Sequence, residues 1–339
     1  MPAFAQSIGL PPQNSAAVAL LVERLRVEFP VLRGKPKVAI RDLDISIRPG
    51  EILGLVGESG AGKTTLARAI LNLPPAPGRI TAGVVQFDGV DLLRLSEGEL
   101  QRIRGRDISM VVPNPRGELN PLVPVGVQLA SIAQVHLDKD RHSARAMALE
   151  MLQAVQIPDP ERRMRAYPHE LSGGMAQRVV IAIALMCSPR FIISDDATSG
   201  LDVTVQAQIL ELLRHLVRKQ SSAMLFITRD IGITAHFCDR VAVIYRGEIM
   251  EIAPRESFFL APRHPYTMLL LAAFLHNPQL RRAWTPPDAS VRANVDTEIG
   301  CAYTDRCPRA RKICQTTKPL LAERISGHFV RCHFPLERE

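Results

Sequence analysis

Apolar and polar positions alternate along Leu20 to Phe29 (LLVERLRVEF) and again along Val38 to Ile47, the period-two pattern of half-buried strands. A turn-rich stretch, Pro30 to Lys37, separates them, and Pro49-Gly50 closes the second. Glu51 to Val56 (EILGLV) is a short apolar run that enters a glycine-rich turn. A helical spacing follows over Thr64 to Leu73, until Pro74 to Gly78 stops it. From about residue 97 to 170 the strand pattern thins, and Ser143 to Val155 (SARAMALEMLQAV) reads as an amphipathic helix, so a mostly helical insertion is expected within 97–175. Strands return at Phe191 to Ser194, Ala223 to Thr228 and Val241 to Tyr245, the last turned by Arg246-Gly247 into Glu248 to Ile252. This alternation predicts an α/β core, 20–275, around a largely parallel sheet. Residues 1–19 are expected to be a flexible N-terminus. From 276 to 339 the pattern fades as Pro and Arg accumulate, and a small separate module is expected.

Composition narrows the class. Of 339 residues, 46% are apolar and 22% charged, which excludes a disordered or fibrous chain. The longest apolar runs, Val179 to Cys187 and Met268 to Leu275, fall short of the roughly 18 residues a membrane-spanning helix needs. The first twenty residues hold no Lys or Arg and are broken by Pro11 and Pro12, so they do not read as a secretory signal, and a cytosolic chain is expected. A net charge of +8 suits phosphate ligands, nucleic acid or an anionic membrane. With aromatics at 5% and no basic tract interleaved with them, nucleic acid is not expected as a partner.

The chemistry concentrates in a few strings. Residues 57–64, GESGAGKT, complete the pattern G-x-x-x-x-G-K-[ST] between a strand and a helix. Gly57, Gly60 and Gly62 let the backbone around Glu58, Ser59 and Ala61 turn its N–H groups toward phosphate oxygens. Lys63 is expected to reach the β and γ phosphates and Thr64 to hold Mg²⁺ through its hydroxyl, with Thr65 beside it at the start of the helix. Phe191 to Ser194 runs into Asp195-Asp196, two carboxylates at the C-terminal end of a strand, where ligands of α/β sheets sit. Asp195 is the candidate for the Mg²⁺ shell and Asp196 the one nearest an attacking water. An ordinary solvated strand end is the plain alternative.

Residues 167–178, YPHELSGGMAQR, standing between GESGAGKT and FIISDD, resemble the signature of ATP-binding-cassette (ABC) ATPases. DVTVQAQIL (202–210), LFIT (225–228), CDRVAV (238–243) and HPYT (264–267) resemble the oligopeptide/dipeptide importer branch, so the resemblance covers nearly the whole chain. It implies a P-loop nucleotide-binding domain of ABC type, with a helical subdomain and a small Cys-rich C-terminal module. It further implies two cassettes packed head to tail around two ATP molecules, each ATP capped by the other subunit's signature, here Ser172, Gly173, Gly174 and Gln177, with Asp202 in the loop between the halves. Gly173 and Gly174 would open a helix whose N–H groups form a second anion site. The implied partners are a second ABC ATPase subunit forming a heterodimer, two transmembrane permease subunits and an extracytoplasmic solute-binding protein, with the chain peripheral on the cytoplasmic face of the inner membrane. Phe29 is a candidate for stacking on adenine, or a core residue.

Three positions depart from the family pattern. Where the family has a Gln that coordinates Mg²⁺ and the attacking water, ISMVVPNP places Pro113, with Asn114 one residue out of step. The family's catalytic Glu is Asp196, whose carboxylate is withdrawn by about 1 Å, an error that can cost roughly a hundredfold in rate. The family's switch His is Arg229, in ITRD, which can clamp a phosphate but cannot change charge near neutral pH. ATP–Mg²⁺ binding with poor hydrolysis at the chain's own site is therefore expected, against the alternative that Asp196 and a rearranged water suffice.

Six cysteines in a cytosolic chain argue against a disulfide framework. Cys301, Cys307, Cys314 and Cys332, spaced C-x5-C-x6-C-x17-C among Gly300, Pro308 and Pro319, suit a loop wrapped on a fixed centre. The importer branch implies a [4Fe-4S] cluster; zinc and unligated thiols stay open. His328 and His333 are expected at the surface, and Cys187 and Cys238 in the core. A non-transport ABC ATPase acting on DNA or ribosomes would need a coiled coil or a second cassette, and the chain contains neither. A purely regulatory ATP-binding protein is the remaining alternative.

Overall fold

A computed structural model describes residues 18–275 and 299–337. Most of the expected flexible N-terminus, and the start of the expected C-terminal module, lie outside them. The first strands form an antiparallel four-stranded sheet in the order β2-β1-β4-β5: β1 (Leu20–Phe29), β2 (Lys37–Ile47), β4 (Arg79–Phe87) and β5 (Val90–Asp91). The second sheet has eight strands in the order β11-β12-β10-β9-β3-β8-β7-β6. Its parallel part comprises β3 (Ile52–Val56), β6 (Ile108–Val111), β7 (Phe191–Asp195), β8 (Ala223–Thr228) and β9 (Arg240–Tyr245). Thus the expected α/β core is present, with β6 as an edge strand inside the stretch expected to be helical.

Strand periodicity explains the two-sided core. Ile52, Val56, Ile192, Met224, Phe226, Val241 and Val243 belong to one apolar cluster, together with the helices α7 (Gly173–Leu185) and α8 (Val203–Lys219). Their neighbours Leu53, Leu55, Ile193, Leu225, Ile227, Ala242 and Ile244 belong to the other, with α1 (Lys63–Ile70). The remaining helices are α2 (Glu97–Ile103) and four that follow β6: α3 (Pro115–Glu118), α4 (Val125–Leu137), α5 (Arg141–Ala154) and α6 (Pro160–Arg163). After β8 comes α9 (Ile231–Phe237), after β10 (Glu248–Pro254) come α10 (Arg255–Leu260) and α11 (Pro265–Phe274), and the short α12 (Lys312–Thr316) lies in the C-terminal segment. Among the described residues no helix is long and apolar enough to cross a membrane.

The C-terminal segment is not separate from this core. β11 (Ala322–Ile325) and β12 (His328–Val330) extend the main sheet, with Glu251 opposite Val330 and Ile252 opposite Phe329. Arg331 is buried and its Nε donates to the Ile249 carbonyl at 2.9 Å. His328, expected at the surface, is also buried, its Nε2 2.6 Å from Glu251 Oε1. The reason lies in the pairing: β12 carries this ring over a buried carboxylate 77 residues away, which no local pattern encodes.

Candidate nucleotide site

The apolar residues of β3 are all buried, and the chain leaves the strand at Gly57, at the C-terminal edge of the parallel sheet. Space there is tight: a Cβ on Gly57 would collide with the carbonyl oxygen of Ile244 in β9. Gly60 and Gly62 take φ of 79° and 109°, the left-handed region where a side chain is strained. Gly62 caps α1, and Gly247, at the tip of the β9–β10 hairpin, donates its N–H to the Ala61 carbonyl at 2.8 Å. Lys63 Nζ donates to the carbonyls of Gly57 and Glu58 at 2.7 and 2.9 Å, and burial lowers its pKa. This loop faces a cavity of about 770 Å³ lined by Ser59, Gly60, Gly62, Lys63, Thr64 and Thr65.

Asp195 and Asp196 line the same cavity. Asp195 is buried, accepts a hydrogen bond from the Thr64 hydroxyl, and has its pKa raised chiefly by burial. Thr64 and Asp195 offer hard oxygen donors side by side at the phosphate end, a donor set that fits Mg²⁺. Asp196 turns the chain at φ 49° and is engaged by Arg229, whose Nε and Nη2 stand 2.9 and 2.8 Å from the single oxygen Oδ2. Pro113 also lines the cavity; Asn114, exposed at φ 62°, begins α3. Phe29, half-buried at the end of β1, lines the cavity and packs against the core, so both of its expected roles meet in one place. Arg246, at the hairpin tip, completes the wall. Sequence reasoning missed it; the only signal was an Arg-Gly turn following a strand that neighbours β3.

Ser172 caps α7, its Oγ accepting from Met175 N–H at 3.3 Å, and is exposed with Gly173 and Gly174 partly so. Among the described residues, none of 171–178 lines the cavity. Gln177 departs from the expected surface role: it is 1% exposed, because it falls on the inward face of α7, among Ala176, Val179 and Val180. Asp202 caps the exposed start of α8, accepting from Val205 N–H at 3.0 Å.

Cys301, Cys307, Cys314 and Cys332 line one narrow cavity with His264, Tyr303 and Phe334. Burial pushes the Cys301 thiol up to about 12 and Cys307 up to about 11, with the neighbouring cysteines adding to both shifts. Among the described residues, no three His, Cys, Asp or Glu form a group arranged to hold a metal ion. The iron–sulfur expectation thus has a convergent donor set but no assembled one. Cys238 is buried as expected, whereas Cys187 is only half-buried.

Comparison with known proteins follows the same division. A family model for ABC transporters matches residues 40–199, and one for the oligopeptide/dipeptide transporter C-terminal region matches residues 250–314. The chain is 39% identical over 321 residues to the dipeptide transport ATP-binding protein DppD of Escherichia coli, covering 94% of this chain and 98% of the relative. It is 40% identical over 330 residues to the oligopeptide transport ATP-binding protein OppD of the same organism, covering 96% of each. A solved structure of the ATP-binding cassette MJ0796, dimeric and bound to ADP and phosphate, superposes with a TM-score of 0.63 at 26% identity, covering 70% of this chain and 98% of that one.

Proposed function

Because the chain belongs to the ATP-binding subunits of ABC transporters, in the oligopeptide/dipeptide branch, we propose that it energises import of peptides or related small solutes from the cytoplasmic face of the inner membrane. In this reading it is a peripheral subunit docked beneath two permeases, served by an extracytoplasmic solute-binding protein and paired with a second, unlike cassette. The observation that carries it is the cavity at the ends of β3 and β7, where the glycine cradle, Lys63, Thr64 and Asp195 converge. The cradle amides and Lys63 bind and orient the triphosphate. Bound Mg²⁺, held by Thr64 and Asp195, would neutralise phosphate charge and orient the terminal group.

The chain's own site is a binding site first and a hydrolytic site poorly. Asp196 is the one carboxylate left to accept a proton from water, and Arg229 engages its Oδ2 through an Nε–H hydrogen bond and an Nη2 ion pair. Pro113 offers neither an amide oxygen nor an N–H to place that water. Ser172, Gly173 and Gly174, away from the cavity of their own chain, would cap ATP held by the partner, where hydrolysis proceeds. To test this, the heterodimer is purified and the partner's catalytic carboxylate alone is replaced by its amide. ATP hydrolysis should fall to background; substantial remaining turnover would overturn the impaired-site reading.

For the C-terminal thiols the reading is a [4Fe-4S] cluster on Cys301, Cys307, Cys314 and Cys332, supported by their convergence on one buried cavity. Bound there, a cluster would knit the last forty residues to the core. Iron and acid-labile sulfide analysis of anaerobically purified protein decides it, since absence of both eliminates the cluster.

A further inference from the structure

Two arginines that pack on Tyr245 connect the nucleotide cavity to the cysteine-bearing turn 301–307. Arg246 lines the cavity, while its Nη1 donates to the Ala302 carbonyl at 3.2 Å and its Nη2 pairs with Asp305 Oδ2 at 2.7 Å. Arg306 comes from the turn itself and donates through Nη1 to Glu58 Oε2, in the glycine cradle, at 2.9 Å. The backbone N–H of Glu58 also donates to the Tyr266 hydroxyl at 3.2 Å. Both guanidinium groups lie over the Tyr245 ring, 5.2 and 5.8 Å from its centroid. Beneath them Tyr303, fully buried, meets Tyr245 edge-on at 5.3 Å and Tyr266 at 5.2 Å.

The turn is tightly wound. Cys301 N–H donates to the Cys314 carbonyl at 2.8 Å, and a Cβ on Gly300 would stand 2.6 Å from that same oxygen. In the cradle two glycines are held at positive φ, and glycine gives up more conformational freedom on ordering than any other residue. A turn that holds this loop at Glu58 adds to its preorganisation, and preorganisation shows as affinity.

We propose that the 301–307 turn is a positioning element for the nucleotide site, in which Asp305 and Arg306 hold Arg246 and Glu58 so that nucleotide affinity depends on the turn. This rests on the reading of the cavity as an ATP site, and on no assumption about what the thiols hold. Coupling of this kind is reciprocal, so nucleotide in the cavity must also steady the turn.

The test uses the full-length chain with a fluorescent ATP analogue and Mg²⁺. Arg306→Gln should weaken binding about fivefold and Asp305→Asn about threefold, the range for partly exposed ion pairs, and Arg306→Lys should recover most of the loss. Arg306→Gln combined with Glu58→Gln should bind no more weakly than the weaker single variant, as expected of one shared contact. Independently of any variant, saturating analogue should slow amide hydrogen exchange in 301–307 of the unmodified chain. Wild-type affinity in both Arg306→Gln and Asp305→Asn, or exchange in the turn indifferent to nucleotide, would overturn the proposal. Failure of the unmodified chain to bind the analogue at all is a different result, which removes the ATP-site reading and this proposal with it.

Discussion

Under the proposed function, turnover at this site depends on the contact between Arg229 and Asp196. An oxygen that accepts the Arg229 Nε–H and is ion-paired with Nη2 is engaged before any water arrives, and the shorter reach of Asp compounds this. Replacing the pair and its neighbour together, by Asp196→Glu, Arg229→His and Pro113→Gln, should raise hydrolysis at this site at least about tenfold. The measurement is phosphate release from a heterodimer whose other site is disabled. Lys63→Ala should abolish binding of the ATP analogue while leaving the circular dichroism spectrum unchanged, because Lys63 makes its bonds to loop carbonyls and none to the core. At this scale the sequence was readable for placement, since Gly62, Lys63 and Asp195 come together at one cavity with Gly57 at the mouth of β3. It was unreadable where the answer depends on a residue far along the chain, as for Arg229 upon Asp196, His328 upon Glu251, and the inward turn of Gln177.

Among the elements, the β9–β10 hairpin and α11 decide how the cradle is held. Gly247 takes φ 81° and leaves no room for a Cβ beside the Ala39 carbonyl. Gly247→Ala should therefore cost about 2 kcal/mol or more, read by denaturant unfolding, and weaken nucleotide binding through the lost bond to Ala61. α11 is capped by His264, whose Nδ1 accepts from Tyr266 N–H at 3.0 Å; burial lowers the His264 pKa from 6.5 to about 4, partly offset by the Glu251 charge and the Arg331 backbone. The folded chain thus binds fewer protons than the unfolded one between these values. The contribution is full above pH 6.5 and declines as pH falls toward 4, by up to about 3 kcal/mol. Unfolding free energy measured across that window should show this slope, and His264→Gln should flatten it. The first strands were legible because alternation there is clean. β11 and β12 were not, since a three-residue strand is specified by the edge of β10 that receives it rather than by its own pattern.

For the molecule as a whole, cradle and signature belong to different places on one chain. Under the proposed function, Ser172→Arg should leave nucleotide binding by the isolated chain unchanged, yet abolish ATP hydrolysis by the assembled heterodimer, because the lesion would land in the partner's site. Equilibrium binding and steady-state phosphate release, run on the same preparation, separate the two effects. The α/β core was evident from the alternation of strand and helix patterns. The continuity of the C-terminal segment with that core was not, because Pro- and Arg-rich sequence conceals a sheet extension completed by long-range pairing.

That separation has a hereditary side. Under the proposed function, alleles that damage Ser172 or its neighbouring glycines would silence the productive half of the complex, whereas alleles that alter Asp196 would strike a pocket that contributes little turnover. Purifying selection would then bear unequally on two walls of one polypeptide, with drift accumulating around Pro113, Asp196 and Arg229 while the LSGG string stays fixed.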